Sequence, residues 1–444
     1  MKPYSKWNED ELIALKTNLE KQFSEVKTKN LKLDMSRGKP SKEQLDLSTG
    51  MMDVLNSESD LVSLDGEDCR NYGNLEGITE ARQLLADMSE VPERNILIYG
   101  NSSLSVMFDT VARAMSCGIM GSTPWRKLDK VKFLCPVPGY DRHFSITECF
   151  DIEMINVPLL PTGPDMDMVE RLVEEDDSIK GIWCVPKYSN PTGISYSNET
   201  VRRFARLKPA AKDFRIFWDN AYSIHHLYDD KRDHILEILN ECIKAGNPDM
   251  VFKFISTSKV SFPGSGLAAL ATSEANLEDA KRYMSFQTIG HDKLNQLRHV
   301  RYFGDMQGMY NHMRRHAKIL RPKFEVVDQV LERELGGLGI GEWTKPLGGY
   351  FISFDALPGC AKAIVAKTKE AGVKLTPAGA SFPYGKDPQD SNIRIAPSFP
   401  SVEELELATK IFVLSVKLVS IEKILEKKQR ITHLKTLSVH GRTA

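Results

Sequence analysis

The chain contains no apolar stretch near the roughly 20 residues that a membrane-spanning helix needs, so the sequence offers no helical membrane span. It also lacks a surplus of either charge. The 59 basic residues stand against 60 acidic ones, for a formal net charge of −1. That balance argues against a nucleic-acid or membrane surface and leaves small-molecule chemistry as the expectation. The N-terminus, MKPYSKWNEDEL, has no apolar core of the secretory-signal kind. The seven cysteines (Cys69, Cys117, Cys135, Cys149, Cys184, Cys242 and Cys360) are odd in number, scattered, and never spaced as C-x-x-C. They fit neither a disulfide framework nor a cysteine zinc site, and read as reduced thiols in a cytoplasmic setting. The glycines at 336, 337, 339 and 341 do not spell a dinucleotide-binding G-x-G-x-x-G and follow a helical pattern, while the G-x-S-x-G elbow of the α/β-hydrolases is absent. There is no internal repeat and no low-complexity linker.

What is present is enough apolar material for a large core, 41% of 444 residues, spread over a length that suits two domains. Short apolar runs occur at 95–99, 131–135, 154–157, 181–185, 215–218, 251–255 and 267–271, with helical patterns such as 103–115 and 168–174 between them. Continuous Val/Ile/Phe/Leu runs alternating with helices predict an α/β fold whose large domain has a mostly parallel sheet covered by helices on both faces. Ligands of such sheets bind beyond the carboxyl ends of the strands. The last third reads differently. A helix at 323–335 stops at Gly336-Gly337, an alternating strand covers 350–354, a helix 362–371, and another strand surrounds Ile393. Ser401 and Glu404 form a capping box that opens a long helix to about Lys428. The expected division is a segment 1–48 joining the small domain, a large domain 49–320, a small α+β domain 321–428 built with both chain ends, and a loose basic tail 429–444.

Four segments carry candidate chemistry. In Phe254-Ile255-Ser256-Thr257-Ser258-Lys259, a lysine follows a buried strand, where desolvation lowers its pKa and frees the amine to form an imine with an aldehyde. In Phe217-Trp218-Asp219-Asn220-Ala221-Tyr222, an acid closes an apolar strand and needs a cationic partner. A protonated pyridine nitrogen is one such partner, and a plain helix cap is the alternative for Asp219. Tyr188-Ser189-Asn190-Pro191-Thr192-Gly193 is a turn in which Asn190 can donate a hydrogen bond, or which simply reverses the chain. In Asn392-Ile393-Arg394-Ile395-Ala396, the guanidinium of a strand-borne Arg394 matches a carboxylate, either a ligand's or that of a structural ion pair.

Taken in order, Asn190, Asp219, Tyr222, Lys259 and Arg394 resemble the constellation of the fold-type-I pyridoxal-5′-phosphate aminotransferases, specifically a divergent branch of the aspartate aminotransferase family. Tyr72-Gly73-Asn74-Leu75-Glu76-Gly77, Pro138-Gly139-Tyr140, Gly348-Gly349-Tyr350-Phe351 and Pro377-Ala378-Gly379 extend the likeness from about Leu31 to about Leu425. The resemblance implies that Lys259 holds pyridoxal 5′-phosphate covalently and shuttles the proton. It further implies that Asp219 faces the pyridine nitrogen and that Asn190 and Tyr222 meet the ring oxygen. Arg394 then clamps the substrate α-carboxylate, with Gly38 and Lys39 of the Ser36-Arg37-Gly38-Lys39-Pro40 segment beside it. Ser102, Ser103 and Ser256 are similar to phosphate ligands, His143 is expected to stack on the ring, and Tyr72 resembles a tyrosine that reaches a phosphate across a homodimer interface. One departure stands out. Where the family carries an arginine on the phosphate, in a P-G-x-R-x-G context, Pro263-Gly264-Ser265-Gly266 leaves Ser265 in that place.

The implied reaction is ping-pong transamination between an amino acid, best matched by aspartate, and a 2-oxo acid, best matched by 2-oxoglutarate. Aromatic or alanine donors and a lyase are the rivals within the same chemistry. Arg394 on the α-carboxylate argues against a decarboxylase, which must release that group. A DNA-binding regulator carrying such a domain needs an N-terminal winged helix of roughly 60–70 residues, near the size of a small independent domain, and only about 30 residues precede Leu31. Arg37, Lys39 and Lys293 are the candidate cations for a second substrate carboxylate. His312 and His316 have H-x-x-x-H spacing, but the intervening Met313, Arg314 and Arg315 supply no acid, so a surface helix is expected there and not zinc.

Overall fold

The computed structural model describes residues 2–440. Helix Glu9–Lys27 opens with a complete capping box, Asn8 accepting from Glu11 N and Glu11 accepting from Asn8 N. β1 (Leu33–Asp34) follows. β2 (Ile96–Ile98), β3 (Lys132–Val137), β4 (Glu153–Leu160), β5 (Gly163–Pro164), β6 (Ile179–Cys184), β7 (Arg215–Asp219), β8 (Val251–Ser256) and β9 (Ala268–Ala271) form one sheet in the order β2-β9-β8-β7-β6-β3-β4-β5. The neighbours β4-β3-β6-β7-β8 are parallel, while β9 lies antiparallel to β8 and β2, and β5 antiparallel to β4. Each of the seven apolar runs in this part of the sequence is one of these strands.

Strand alternation distributes the core. In β7, Ile216 and Trp218 join one apolar cluster and Phe217 the other; in β8, Val251 and Ile255 oppose Phe252 and Phe254. Both faces are therefore buried, as a mostly parallel sheet requires. Each fully buried side chain of this size stabilises the fold by roughly 1.5–3 kcal/mol.

A third cluster unites Leu12, Leu19 and Phe23 of the first helix with Met35 and with residues of the last third such as Phe354, Ile393 and Phe412. Here β10 (Gly341–Trp343), β11 (Ile352–Ala356) and β13 (Asn392–Ile395) make an antiparallel sheet, and β1 pairs in parallel with β12 (Val373–Lys374). Both chain ends thus contribute to one α+β body.

Two expectations change. The helix read at 323–335 is the second half of a single helix, Met306–Leu335, which runs through the boundary set at residue 320 and contains Pro322. The helix capped by Ser401 runs from Val402 to His440, so the residues from Gln429 expected as a loose tail are helical to His440, and 441–444 lie outside the described residues. Among the described residues, no helix is long and apolar enough to cross a membrane.

Candidate active site

β3, β6, β7 and β8 are parallel neighbours, so their carboxyl ends lie side by side at one edge of the sheet. Asp219, the last residue of β7, is buried, and its Oδ2 accepts from His143 Nε2 at 3.0 Å. Its Oδ1 is buried with no hydrogen-bond partner. An orphaned carboxylate oxygen in the protein interior is costly, and its cost disappears when a cationic N–H faces it. The helix-cap reading of Asp219 finds no support, because His143 is the partner its side chain has.

The structure corrects the expected role of His143. Tyr140 is the N-cap residue of helix Asp141–Cys149, and His143, most of a turn further on, points towards the sheet. Its ring stacks on Trp183 at 4.4 Å with 11° between planes, and its Nε2 is spent on Asp219. An imidazole so held supports the acid from behind and is not free to lie on a cofactor ring. The Tyr140 ring lies edge-on to His143 at 5.0 Å.

Lys259 follows β8 in a turn closed by Val260 N and Ser261 N on Thr257 O. Its Nζ lies 4.9 Å from the Tyr222 ring centroid and 5.9 Å from that of Tyr350. Desolvation lowers its pKa against the opposing pull of Asp219, which favours the neutral, nucleophilic amine. Tyr222 is buried, and burial pushes its hydroxyl well above the ordinary tyrosine range. It therefore stays a hydrogen-bond donor at neutral pH.

Arg394, on β13, is buried and faces the large sheet. Its Nη1 donates to Asp141 Oδ1 at 2.7 Å and to Asn190 Oδ1 at 3.2 Å, and its Nη2 makes a long 3.4 Å bond to Thr376. Nε has no partner. With Oδ1 of Asn190 turned to the arginine, its amide N–H groups remain to donate elsewhere. The guanidinium lies 5.1 Å from the Phe351 ring centroid, and Gly38 covers that ring so closely that a Cβ there would sit 2.0 Å from it. Gly38 is thus required by packing on the residue beneath the arginine.

At the opposite end, Gly100 takes a φ of +48° and leads to Ser102, the N-cap of helix Ser103–Cys117. Ser102 makes no side-chain capping bond, so N–H groups of the first turn stay open to an anion. Asn101 Nδ2 bonds Gly264 O at 3.2 Å, which brings this turn against the one containing Ser265. Ser256 ends β8. Ser265 Oγ accepts from Arg298 Nη2 at 2.6 Å, and Arg298 Nε is buried without a partner. A cation from a helix 33 residues further on thus stands beside Ser265. No local pattern announces that residue.

The remaining candidates fall outside this cluster. Lys293 is buried in an ion pair with Glu67, so it is not a free cation for substrate. Arg37 is exposed and held by Asp34 at 3.0 Å, whereas Lys39 is exposed, without an acidic partner among the described residues, 4.4 Å from the Phe399 ring centroid. Tyr72 is 78% exposed. His312 and His316 are not on a surface face. Both are buried, 3.0 Å apart, with Ser48, Val260 O and Gln44 as further partners, and Gln44 also reaches Tyr350. Asp141, Trp183 and Arg298 are the residues that sequence reasoning missed.

The residues fit a phosphorylated pyridine aldehyde: a lone buried carboxylate oxygen for the ring nitrogen, a desolvated lysine for the aldehyde, and an open helix start for the phosphate. Comparison with known proteins agrees with that class. Residues 7–428 match the model of the aspartate aminotransferase family, described as "Aspartate amino-transferase", and the chain belongs to that family. It is an aminotransferase. It is 46% identical over 392 residues to an aspartate aminotransferase of Corynebacterium glutamicum, covering 88% of this chain and 90% of that one. A crystal structure of an aspartate transaminase from Corynebacterium glutamicum superposes with a TM-score of 0.92 at 43% identity, covering 95% of this chain and 99% of the other. An α-aminoadipate aminotransferase from Thermus thermophilus, crystallised with N-(5′-phosphopyridoxyl)-L-leucine, shares the fold at a TM-score of 0.70 and 19% identity, over 87% of this chain and 92% of that one.

Proposed function

We propose that this aminotransferase uses pyridoxal 5′-phosphate to exchange the amino group of aspartate with 2-oxoglutarate by a ping-pong mechanism, as a cytoplasmic homodimer. The observation that carries the cofactor reading is the unpaired, buried Oδ1 of Asp219 in the pocket that also holds the desolvated Lys259. The 46% identity to a protein named aspartate aminotransferase supports the donor.

When bound, the cofactor supplies an electron sink for the carbanion at the substrate α-carbon. The protein does the rest. Asp219, braced by His143, keeps a proton on the ring nitrogen, and the Tyr222 hydroxyl and Asn190 amide donate to the ring oxygen. Lys259 would hold the cofactor through Nζ and, as a neutral amine, would accept the proton from the substrate α-carbon and later give it back. Ser102, Ser103 and Ser256 donate to the phosphate, and Arg298 supplies the charge absent at Ser265. Tyr72, exposed on each protomer, reaches the phosphate of a second copy. The Nε–Nη2 edge of Arg394, with its buried Nε unpaired among the described residues, takes the α-carboxylate. Of the three candidate cations, Lys39 is the one without an acidic partner, and it meets the second carboxylate of aspartate.

The test is a panel of amino donors against 2-oxoglutarate, with initial rates at several fixed oxo-acid concentrations. Aspartate leading the panel, with parallel double-reciprocal lines, is the expected result. Alanine or an aromatic donor outrunning aspartate would overturn the substrate, and donor consumed without 2-oxo acid product would favour a lyase.

A further inference from the structure

The Asp141–Arg394 ion pair has no place in the reaction as set out above. Asp141 opens the helix Asp141–Cys149 on the large sheet, whereas Arg394 sits in β13 of the α+β body. The 2.7 Å bond between them therefore spans the cleft. Arg394 has 9% side-chain exposure and Asp141 32%, so the arginine is the buried partner and the acid comes in from the rim. The pair is also asymmetric on the guanidinium. Asp141 and Asn190 share the two N–H groups of Nη1, Nη2 has only the long bond to Thr376, and Nε has none.

From this geometry we infer that Asp141 is a positioning residue, one that fixes the rotation of Arg394 so that its Nε–Nη2 edge is presented to the α-carboxylate before any substrate arrives. The inference rests on the reading of Arg394 as the α-carboxylate clamp. A carboxylate binds a guanidinium bidentately through two parallel N–H groups on one edge. With Nη1 taken by Asp141 and Asn190, the Nε–Nη2 edge is the one available, and Asp141 need not leave when substrate binds. A buried guanidinium without an internal acid would rotate among the surrounding acceptors, or stand unpaired in the empty enzyme. Asp141 removes both states, and ordering the clamp in advance lowers the cost of binding. It also tethers β13 to the helix that carries His143, and through His143 to Asp219.

The account separates Asp141 from Lys39. Every amino acid and 2-oxo acid carries the carboxylate that Arg394 holds, so loss of Asp141 penalises all substrates alike, while loss of Lys39 penalises those with a second carboxylate. The experiment uses the cofactor-loaded enzyme, with Asp141→Ala and Asp141→Asn beside the wild type. Asparagine keeps an acceptor oxygen for Nη1, and alanine does not. KM and kcat are measured for aspartate and alanine as donors, together with the dissociation constant of maleate, a non-reacting dicarboxylate, followed by the visible absorbance of the enzyme. Asp141→Ala is expected to raise KM for both donors, and Kd for maleate, by about tenfold, with kcat changed less than about threefold; Asp141→Asn is expected to recover most of the loss. Unchanged or tighter maleate binding in Asp141→Ala would overturn the inference and make Asp141 a competitor of substrate. An Asp141→Asn variant no better than Asp141→Ala would also overturn it. If aspartate proves not to be the donor, the equal penalty on both donors still tests Asp141, so the two readings fail separately.

Discussion

The two ends of the active site are built by different means. The cofactor end is assembled from strand termini: Asp219 closes β7, Ser256 closes β8, and Lys259 lies three residues beyond it. These side chains are locked by neighbours such as His143, Trp183 and Tyr350. The end that would meet a second substrate carboxylate has three candidate cations. Arg37 is spent on Asp34, Lys293 on Glu67, and Lys39 stands exposed over Phe399. On the proposed reading, chemistry common to all donors rests on strand ends, and donor preference on Lys39, an exposed side chain that few contacts hold in place. If that division is real, substitutions at the first end act on every substrate and those at the second act selectively.

The largest effect is expected from Lys259→Ala, which leaves a folded protein able to bind cofactor but lowers turnover by about 10⁴-fold or more. Single-turnover assays with any donor check this, and turnover within about tenfold of wild type would remove Lys259 from the chemistry. Asp219→Asn keeps shape and removes charge. The expected loss is about 10²–10³-fold in kcat, equal for aspartate and alanine, and a normal rate would reduce Asp219 to a structural residue. Lys39→Ala is the sharpening test. It is expected to lower kcat/KM for aspartate about tenfold or more while leaving alanine nearly unchanged, and an equal loss on both donors would deny that the second end is selective.

The smallest effect concerns pH and stability. Burial lowers His312 to about 4 and His316 to about 3 from an ordinary value near 6.5. Both are therefore neutral in the folded state where the unfolded chain binds protons. Stability is full above about pH 6.5 and is lost as pH falls towards 4, with a slope of up to about 1.4 kcal/mol per pH unit for each histidine. Thermal unfolding of His316→Gln between pH 7 and 5 is expected to show a shallower decline than the wild type, and an identical decline would mean that the pair does not set acid sensitivity.

Much of this was legible in the sequence because it is periodic or terminal. Seven of the eight strands of the sheet announced themselves as apolar runs, and two of the candidate residues, Asp219 and Ser256, end their strands. What stayed hidden was contact at long sequence separation. His143 was expected to stack on the ring because the resemblance places an aromatic residue there after the Pro-Gly-Tyr segment, yet helix geometry turns it back onto Trp183 and Asp219. Arg298 lies in a helix of ordinary polarity, and only folding sets it on Ser265. Asp141 reads as a favourable charge in the first turn of a helix, which conceals its bond to an arginine 253 residues away. Lys293 resembled a free loop cation until Glu67 was found against it. The histidine pair looked exposed because Arg314 and Arg315 stand between its members, yet both histidines lie on the buried side of the same helix.

The central claim is that Lys259 carries the cofactor opposite Asp219, and the direct measurement is chemical. The purified enzyme loaded with pyridoxal 5′-phosphate is reduced with borohydride, digested, and its phosphopyridoxyl peptides are mapped by mass spectrometry. One labelled site is expected, Lys259, with the visible absorbance of the enzyme lost on reduction. Label on a different lysine, or none on Lys259 when cofactor is bound, would contradict it.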